Sequence, residues 1–386
     1  MIDRPLRIAM LAHSTNPRGG VVHAMQLSEA LEDLGHTVTL HAPDSSGNGF
    51  FRRPRCDART FPVVTAPSGM TAMVEQRIAD YVRHFESAAA RRFDLFHAHD
   101  GISGNALATL KERGLIAGFV RTVHHVDDFA DPRLAELQAR AIRAADRCFV
   151  VSRTWQSRLT AEWGIAADLT GNGVATDRFG PHLDGTEQPL RDSLGLGAGP
   201  VLLSVGGVEV RKNTVRILEA FLQLRLLFPD AQLVIAGGAS LLDHGAFQRE
   251  FSTRLASAGS AAAGVHVVGP LADADMAPLY RLAHALVFPS VREGFGLCVL
   301  EAMASGTPVV VSSIAPFTEY LADQDAIWCD PLKPASIADA MALSFNETLR
   351  RRLAERGLAI AAAHGWERVA KAHLPAYSEL RELAHA

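Results

Sequence analysis

Two glutamates, Glu293 and Glu301, bracket the run Pro289-Ser290-Val291-Arg292-Glu293-Gly294-Phe295-Gly296-Leu297-Cys298-Val299-Leu300-Glu301-Ala302-Met303. The run follows an apolar, strand-like stretch, and its glycines let backbone N–H groups come close to a ligand. From Leu297 onward the residues suit a helix whose N-terminus would face that loop. Exposed amides at a helix N-terminus hold a diphosphate without help from a metal. Carboxylates are poor partners for phosphate but good acceptors for pairs of hydroxyls. The two glutamates are therefore expected on sugar rather than on phosphate, with Glu301 about one turn into the helix.

The elements that must position this segment are legible as alternating short apolar strands and amphipathic helices, the pattern of parallel sheets covered on both faces. In the first half, strands are expected at 7–11, 37–41, 94–97, 119–123 and 147–151. A polar, glycine-bearing loop spans 13–20, and a helix carrying Leu27, Ala30, Leu31 and Leu34 stops at Gly35. After the turn pair Asn172-Gly173 the pattern loosens over 181–199. It resumes with strands at 201–205, 233–236, 266–268, 285–288 and 308–311 and a helix at 214–228. The expected fold class is α/β, with two Rossmann-like domains at 1–180 and 181–365 and a hinge near 175–195. A final helix at 366–386 either stays with the second domain or crosses back to the first. Ligands of such sheets sit beyond the carboxyl ends of the strands, so a cleft between the domains is the expected site.

Glu293 and Glu301 are spaced as in the E-x7-E motif of family 4 glycosyltransferases, and Phe288-Pro289-Ser290 and Ala304-Ser305-Gly306-Thr307-Pro308-Val309-Val310 are similar to that family too. The resemblance implies the GT-B fold of two facing Rossmann-like domains and a nucleotide-diphosphate-sugar donor. It implies that Glu293 contacts hydroxyls of the donor sugar. The amides of Gly294, Phe295, Gly296 and Leu297 would hold the diphosphate, and Glu301 the ribose. Gly19 and Gly20, in the first loop, would bring backbone close to the donor phosphates. His97-Ala98-His99-Asp100 resembles the family's HAH segment, and Thr122-Val123-His124 its T-x-H strand end, whose histidine lies beside the reacting centre. His125 is adjacent, and position after the strand favours His124. Val205 to Asn213 occupies the place of the family's G-R-L-x-x-x-K-G. Lys212 supplies the lysine, and a cation there would neutralise the departing diphosphate. Gly207 stands where the family has arginine. Either Arg211 is the second cation or the site runs on one.

Members of the family mostly retain the anomeric configuration through a front-face reaction, in which a donor phosphate oxygen takes the acceptor proton. The implied enzyme is a retaining hexosyltransferase that needs no metal and no cofactor, with His124 orienting the sugar or the acceptor. The competing reading, prompted by the missing arginine, is a nucleotide-sugar-binding protein without transferase activity. The acceptor is a sugar, a lipid or a small molecule, bound by first-half loops such as 43–67 and 126–133. Donor-base contacts are expected from 267–271.

Other classes fit less well. Asp273-Ala274-Asp275 matches the D-x-D of metal-dependent glycosyltransferases of another fold, but it precedes a helix pattern and reads as a helix start. Asp127-Asp128 sits in an acceptor-side loop and is expected on substrate hydroxyls or on water. A nicotinamide oxidoreductase needs G-x-G-x-x-G after the first strand, which 13–20 does not supply, and a nucleotide-sugar epimerase lacks the Glu293–Glu301 segment. The 386 residues carry 38 basic and 42 acidic side chains, net −4, which gives no argument for nucleic acid. Arginines gather at Arg52, Arg53 and Arg55 and at Arg91 and Arg92, either as solvated surface or as a membrane-surface contact. The four cysteines are scattered and read as free thiols. The start of the chain lacks a signal-peptide core, and no apolar run reaches the roughly 18 residues of a spanning helix. A cytoplasmic address is expected, with the inner membrane face as a peripheral option.

Overall fold

The computed structural model describes residues 4–66, 68–238 and 244–385. The chain divides into two compact units, one of Met1–Asn172 with Trp366–Ala386 and one of Gly173–Gly365. Residues 173–180, which the sequence pattern groups with the first half, lie in the second unit.

The first unit is a seven-stranded parallel sheet. Its strands are β1 (Arg7–Leu11), β2 (Thr37–Asp44), β3 (Asp57–Pro62), β4 (Leu95–Ala98), β5 (Val120–Val123), β6 (Arg147–Val150) and β7 (Ala167–Leu169). The order is β3-β2-β1-β4-β5-β6-β7. The helices are α1 (Gly19–Asp33), α2 (Met70–His84), α3 (Gly101–Glu112), α4 (Pro132–Arg143) and α5 (Arg153–Trp163), each a crossover or a cover for the sheet. β1 and β4 are buried along nearly their whole length, as central strands of a doubly covered sheet must be. β3 is exposed apart from Phe61, so its sequence carries no strand-like apolar pattern; residues 43–67 contain this edge strand and are not a single loop. Pro67 itself lies outside the described residues.

The second unit repeats the plan with β8 (Val201–Val205), β9 (Gln232–Ala236), β10 (Val265–Gly269), β11 (Ala285–Phe288), β12 (Val309–Ser312) and β13 (Ile327–Cys329). These form a six-stranded sheet in the order β10-β9-β8-β11-β12-β13, all parallel. Its helices are α6 (Glu187–Ser193), α7 (Thr214–Leu224), α8 (Gly245–Ser257), α9 (Asp273–Leu282), α10 (Leu297–Ala304), α11 (Phe317–Tyr320), α12 (Pro334–Leu343) and α13 (Glu347–Ala363). α7 buries Ile217, Leu218 and Phe221 against Leu233, Ile235 and Ala285, one apolar stripe at helical spacing. The residues at 267–269, expected in a base-contacting loop, belong to the edge strand β10.

The last helix, α14 (Trp366–His385), belongs to the first unit and packs on α1 and β4. Its Tyr377 is fully buried and its hydroxyl meets His97 Nδ1 at 2.7 Å. In both sheets the strand order reverses at one place, between β1 and β4 and between β8 and β11. Loops diverge there and leave a crevice at the carboxyl ends. Every candidate residue lies at or just beyond one of these ends.

Candidate active site

In the second unit the loops after β8 and β11 are tied to each other. Val291 N–H donates to Arg211 O at 3.1 Å. Asn213 adopts a left-handed backbone (φ 62°) and sends its side-chain amide to Pro289 O at 3.0 Å and Pro331 O at 2.6 Å. This bracing brings Arg211 and Lys212 onto Glu293. Arg211 Nη1 donates to both carboxylate oxygens, at 2.7 and 2.8 Å, and Lys212 Nζ to Oε2 at 2.8 Å. Burial pushes the Glu293 carboxyl up, but Arg211 and Lys212 outweigh it and hold the group at about 2. Lys212 is lowered by burial and by Arg211, against the pull of Glu293, and its ammonium also lies 4.1 Å over the Phe288 ring.

Gly207 does more than lack the family's arginine. It sits at φ +74°, and a Cβ there would meet Gly237 O at 2.9 Å and Gly238 C at 3.0 Å. A side chain is barred by backbone conformation and by backbone neighbours, and the guanidinium in this region comes from Arg211. Beyond Glu293, Gly296 caps α10 at φ +96°, where a Cβ would press on Phe317 at 2.8 Å. Phe295 stacks on Tyr320, with ring centroids 4.6 Å apart. Leu297 opens α10, and Glu301 follows on it with its Oε2 accepting from the Tyr280 hydroxyl at 2.7 Å. Burial raises the Glu301 carboxyl, opposed by the Tyr280 hydrogen bond and by Arg178. Asp273 begins α9 and accepts from Arg178 Nη2 at 2.5 Å.

In the first unit the carboxyl ends of β4 and β5 are lined with imidazoles. His97 is wholly buried, bonded to Tyr377 and, through Nε2, to Thr122 Oγ1 at 2.8 Å. His99 Nδ1 is 3.4 Å from His124 Nε2, and its Nε2 lies 2.8 Å from Met10 Sδ. His23 on α1 sits edge-on to His124 at 4.8 Å between centroids and bonds Asn172 Oδ1 at 2.5 Å. Burial first, and the neighbouring imidazoles second, push His97, His99 and His124 well below the usual histidine range. His124 is thus neutral near pH 7, fit to hydrogen-bond a hydroxyl rather than to act as a cation. His125 turns outward, with Nε2 3.4 Å from Asp127 Oδ2. Gly19 and Gly20 form the first turn of α1 rather than a free loop. A Cβ on Gly20 would lie 3.3 Å from His124 Cδ2, so the glycine admits this ring as much as any ligand.

Residues 187–359 match the model for glycosyl transferases group 1, and residues 17–178 match that for glycosyltransferase family 4. The chain belongs to the family 4 glycosyltransferases. It is 28% identical to the D-inositol 3-phosphate glycosyltransferase of Xylanimonas cellulosilytica, over 97% of this chain and 96% of that one. It is equally 28% identical to the phosphatidyl-myo-inositol mannosyltransferase of Mycobacterium tuberculosis, over 96% of each. The Anabaena protein HepE, solved in complex with UDP-glucose, superposes with a TM-score of 0.80 at 18% identity, covering 97% of this chain and all (100%) of that one. The architecture is therefore GT-B.

Several residues of this glycosyltransferase escaped the sequence reading. Asn213 was visible only as the residue after Lys212, and its bracing amide depends on a backbone angle that asparagine tolerates better than most side chains. Tyr280 lay in an ordinary helix pattern. His23 lay on an apolar helix face, where a lone histidine is usually core. The arginines at 52, 55 and 91 are consumed by the fold: Arg52 meets Glu29 at 2.6 Å, Arg55 meets Asp33 at 2.8 Å, and Arg91 caps carbonyls of Phe85, Glu86 and Leu115. Among the described residues no helix is long and apolar enough to cross a membrane, and no group of three or more His, Cys, Asp or Glu side chains is arranged to hold a metal ion.

Proposed function

We propose that this glycosyltransferase moves a hexose from a nucleotide-diphosphate-sugar to an acceptor hydroxyl, with retention and without a metal. The observation that carries the reading is the convergence of Arg211 and Lys212 on Glu293 beside the N-terminus of α10. Two cations, a carboxylate and the start of a helix stand together at one switch point. In this reading the Phe295–Leu297 amides and the cation pair take the diphosphate. Glu293 accepts from hydroxyls of the sugar, and Glu301 from the ribose. The acceptor oxygen bonds to the anomeric carbon as the bond from that carbon to the diphosphate breaks, and the acceptor proton passes to a diphosphate oxygen. His124, neutral, aligns the sugar or acceptor hydroxyl, and Gly19 and Gly20 let the backbone of α1 come close. Two supports come from similar proteins: HepE was solved with UDP-glucose, and the Xylanimonas and mycobacterial relatives are named for D-inositol 3-phosphate and for phosphatidyl-myo-inositol. The free, buried cysteines suit a reducing compartment.

The test is a melting panel of UDP, GDP and ADP and their sugars, followed by transfer to inositol and simple sugars. A rise with one nucleotide, and turnover of its sugar, supports the reading. Absence of any shift across the panel sinks it. Saturable binding with neither transfer nor slow hydrolysis would favour a binding protein instead.

A further inference from the structure

Glu301 is held at one end only. Its Oε2 accepts from the Tyr280 hydroxyl at 2.7 Å, while Oε1 takes no hydrogen bond among the described residues. Tyr280 is fully buried and locked from both sides. Its ring meets Phe179 edge-on at 5.9 Å, and its carbonyl accepts from Thr307 Oγ1 at 2.7 Å. A phenol fixed in this way cannot follow its partner, so the partner's position follows the phenol. Arg178 donates to Asp273 at 2.5 Å and acts on the Glu301 carboxyl through its charge, while the hydrogen bond that fixes Oε2 comes from Tyr280. A carboxylate tethered through one oxygen presents the other oxygen at a set angle, as a pair of vicinal hydroxyls requires. A buried tyrosine of the core needs some acceptor for its hydroxyl, and backbone carbonyls would serve. Here the acceptor is the side chain that the donor reading assigns to the ribose.

We infer that Tyr280 is a positioning residue that aims Glu301 at the ribose diol of the donor nucleotide, and so makes the enzyme demand a ribo- over a deoxyribonucleotide. The inference rests on the assignment of Glu301 to the ribose. Removing the hydroxyl leaves Glu301 free to swing and lowers the worth of the diol, while the phosphate contacts stay intact. The expected signature is a loss confined to nucleotides that carry the diol, and a donor KM that rises with little change in kcat.

The experiment measures dissociation constants of whichever of UDP, GDP and ADP raises the melting temperature, and of its 2′,3′-dideoxy counterpart, on wild type, Tyr280→Phe, Glu301→Gln and the double variant. Tyr280→Phe should weaken the ribonucleotide about five- to tenfold and leave the dideoxynucleotide unchanged, with no further loss in the Glu301→Gln background. If wild type binds both nucleotides alike, the ribose role of Glu301 fails and the role of Tyr280 with it. If wild type discriminates and Tyr280→Phe discriminates equally, Tyr280 alone is overturned, as it is if both nucleotides weaken together. If none of the three nucleotides binds wild type, the donor reading itself is overturned. Should Tyr280→Phe not fold, 3-fluorotyrosine at the same position keeps the ring and changes the donor strength. Unaltered discrimination there would overturn the assignment too.

Discussion

Arg211 and Lys212 are both on Glu293, so on the proposed donor reading a diphosphate and the Glu293 carboxylate would compete for the same cations. The expected outcome of Glu293→Ala is therefore unusual for a binding-site truncation. Transfer should fall by about a hundredfold or more, while the bare nucleoside diphosphate binds as tightly as before or more tightly. Glu301→Ala should weaken that nucleotide. Titration calorimetry on both variants decides, and equal behaviour would refute the division of roles. The same contacts give an acid limb. The Glu293 carboxyl lies at about 2 against an ordinary 4.5, so its contribution is full above the ordinary value and drains away as pH falls toward 2. Glu293→Gln should cost on the order of 3 kcal/mol near pH 7, and the deficit should close between about pH 5 and 2. Urea melts of both proteins at several pH values would show it; a constant gap would argue against the charge pairing.

At the scale of elements, restoring the family's arginine should fail. Gly207→Arg places a Cβ at φ +74° and 2.9 Å from Gly237 O, a combination expected to cost about 2 kcal/mol or more. A lower melting temperature with no gain in nucleotide affinity is the expected result; a rescued affinity would show that the loop can open. These elements also mark what a sequence can disclose. β8, β11 and β12 were legible because strands buried on both faces read as unbroken apolar runs. β3, exposed but for Phe61, and the three-residue β7 and β13 lack that signal. Gly19 and Gly20 read as a loop because glycine disfavours helices, yet they open α1, where Gly20 admits the His124 ring. Lys212, Glu293 and Glu301 were singled out by their resemblance to the family's motifs. Tyr280 and Asn213 could not be, because their meaning lies in partners 21 and 76 residues away.

The whole molecule is threaded so that its last helix completes its first unit. Tyr377 seals the imidazole layer from α14, 280 residues along the chain from His97. Tyr377→Phe should leave His97 Nδ1 buried without that partner and cost about 1–3 kcal/mol. Hydrogen exchange should report the loss in β4, β5 and α1, with the second unit's amides unchanged. Protection lost evenly across both units would count against the division. The threading also sets an order of birth. On the ribosome the second unit is continuous and is finished while the first still waits for α14. The layer that holds His124 can close only after all of the second unit has been made, so a stalled or shortened chain would carry a finished second unit and an unfinished histidine-bearing one.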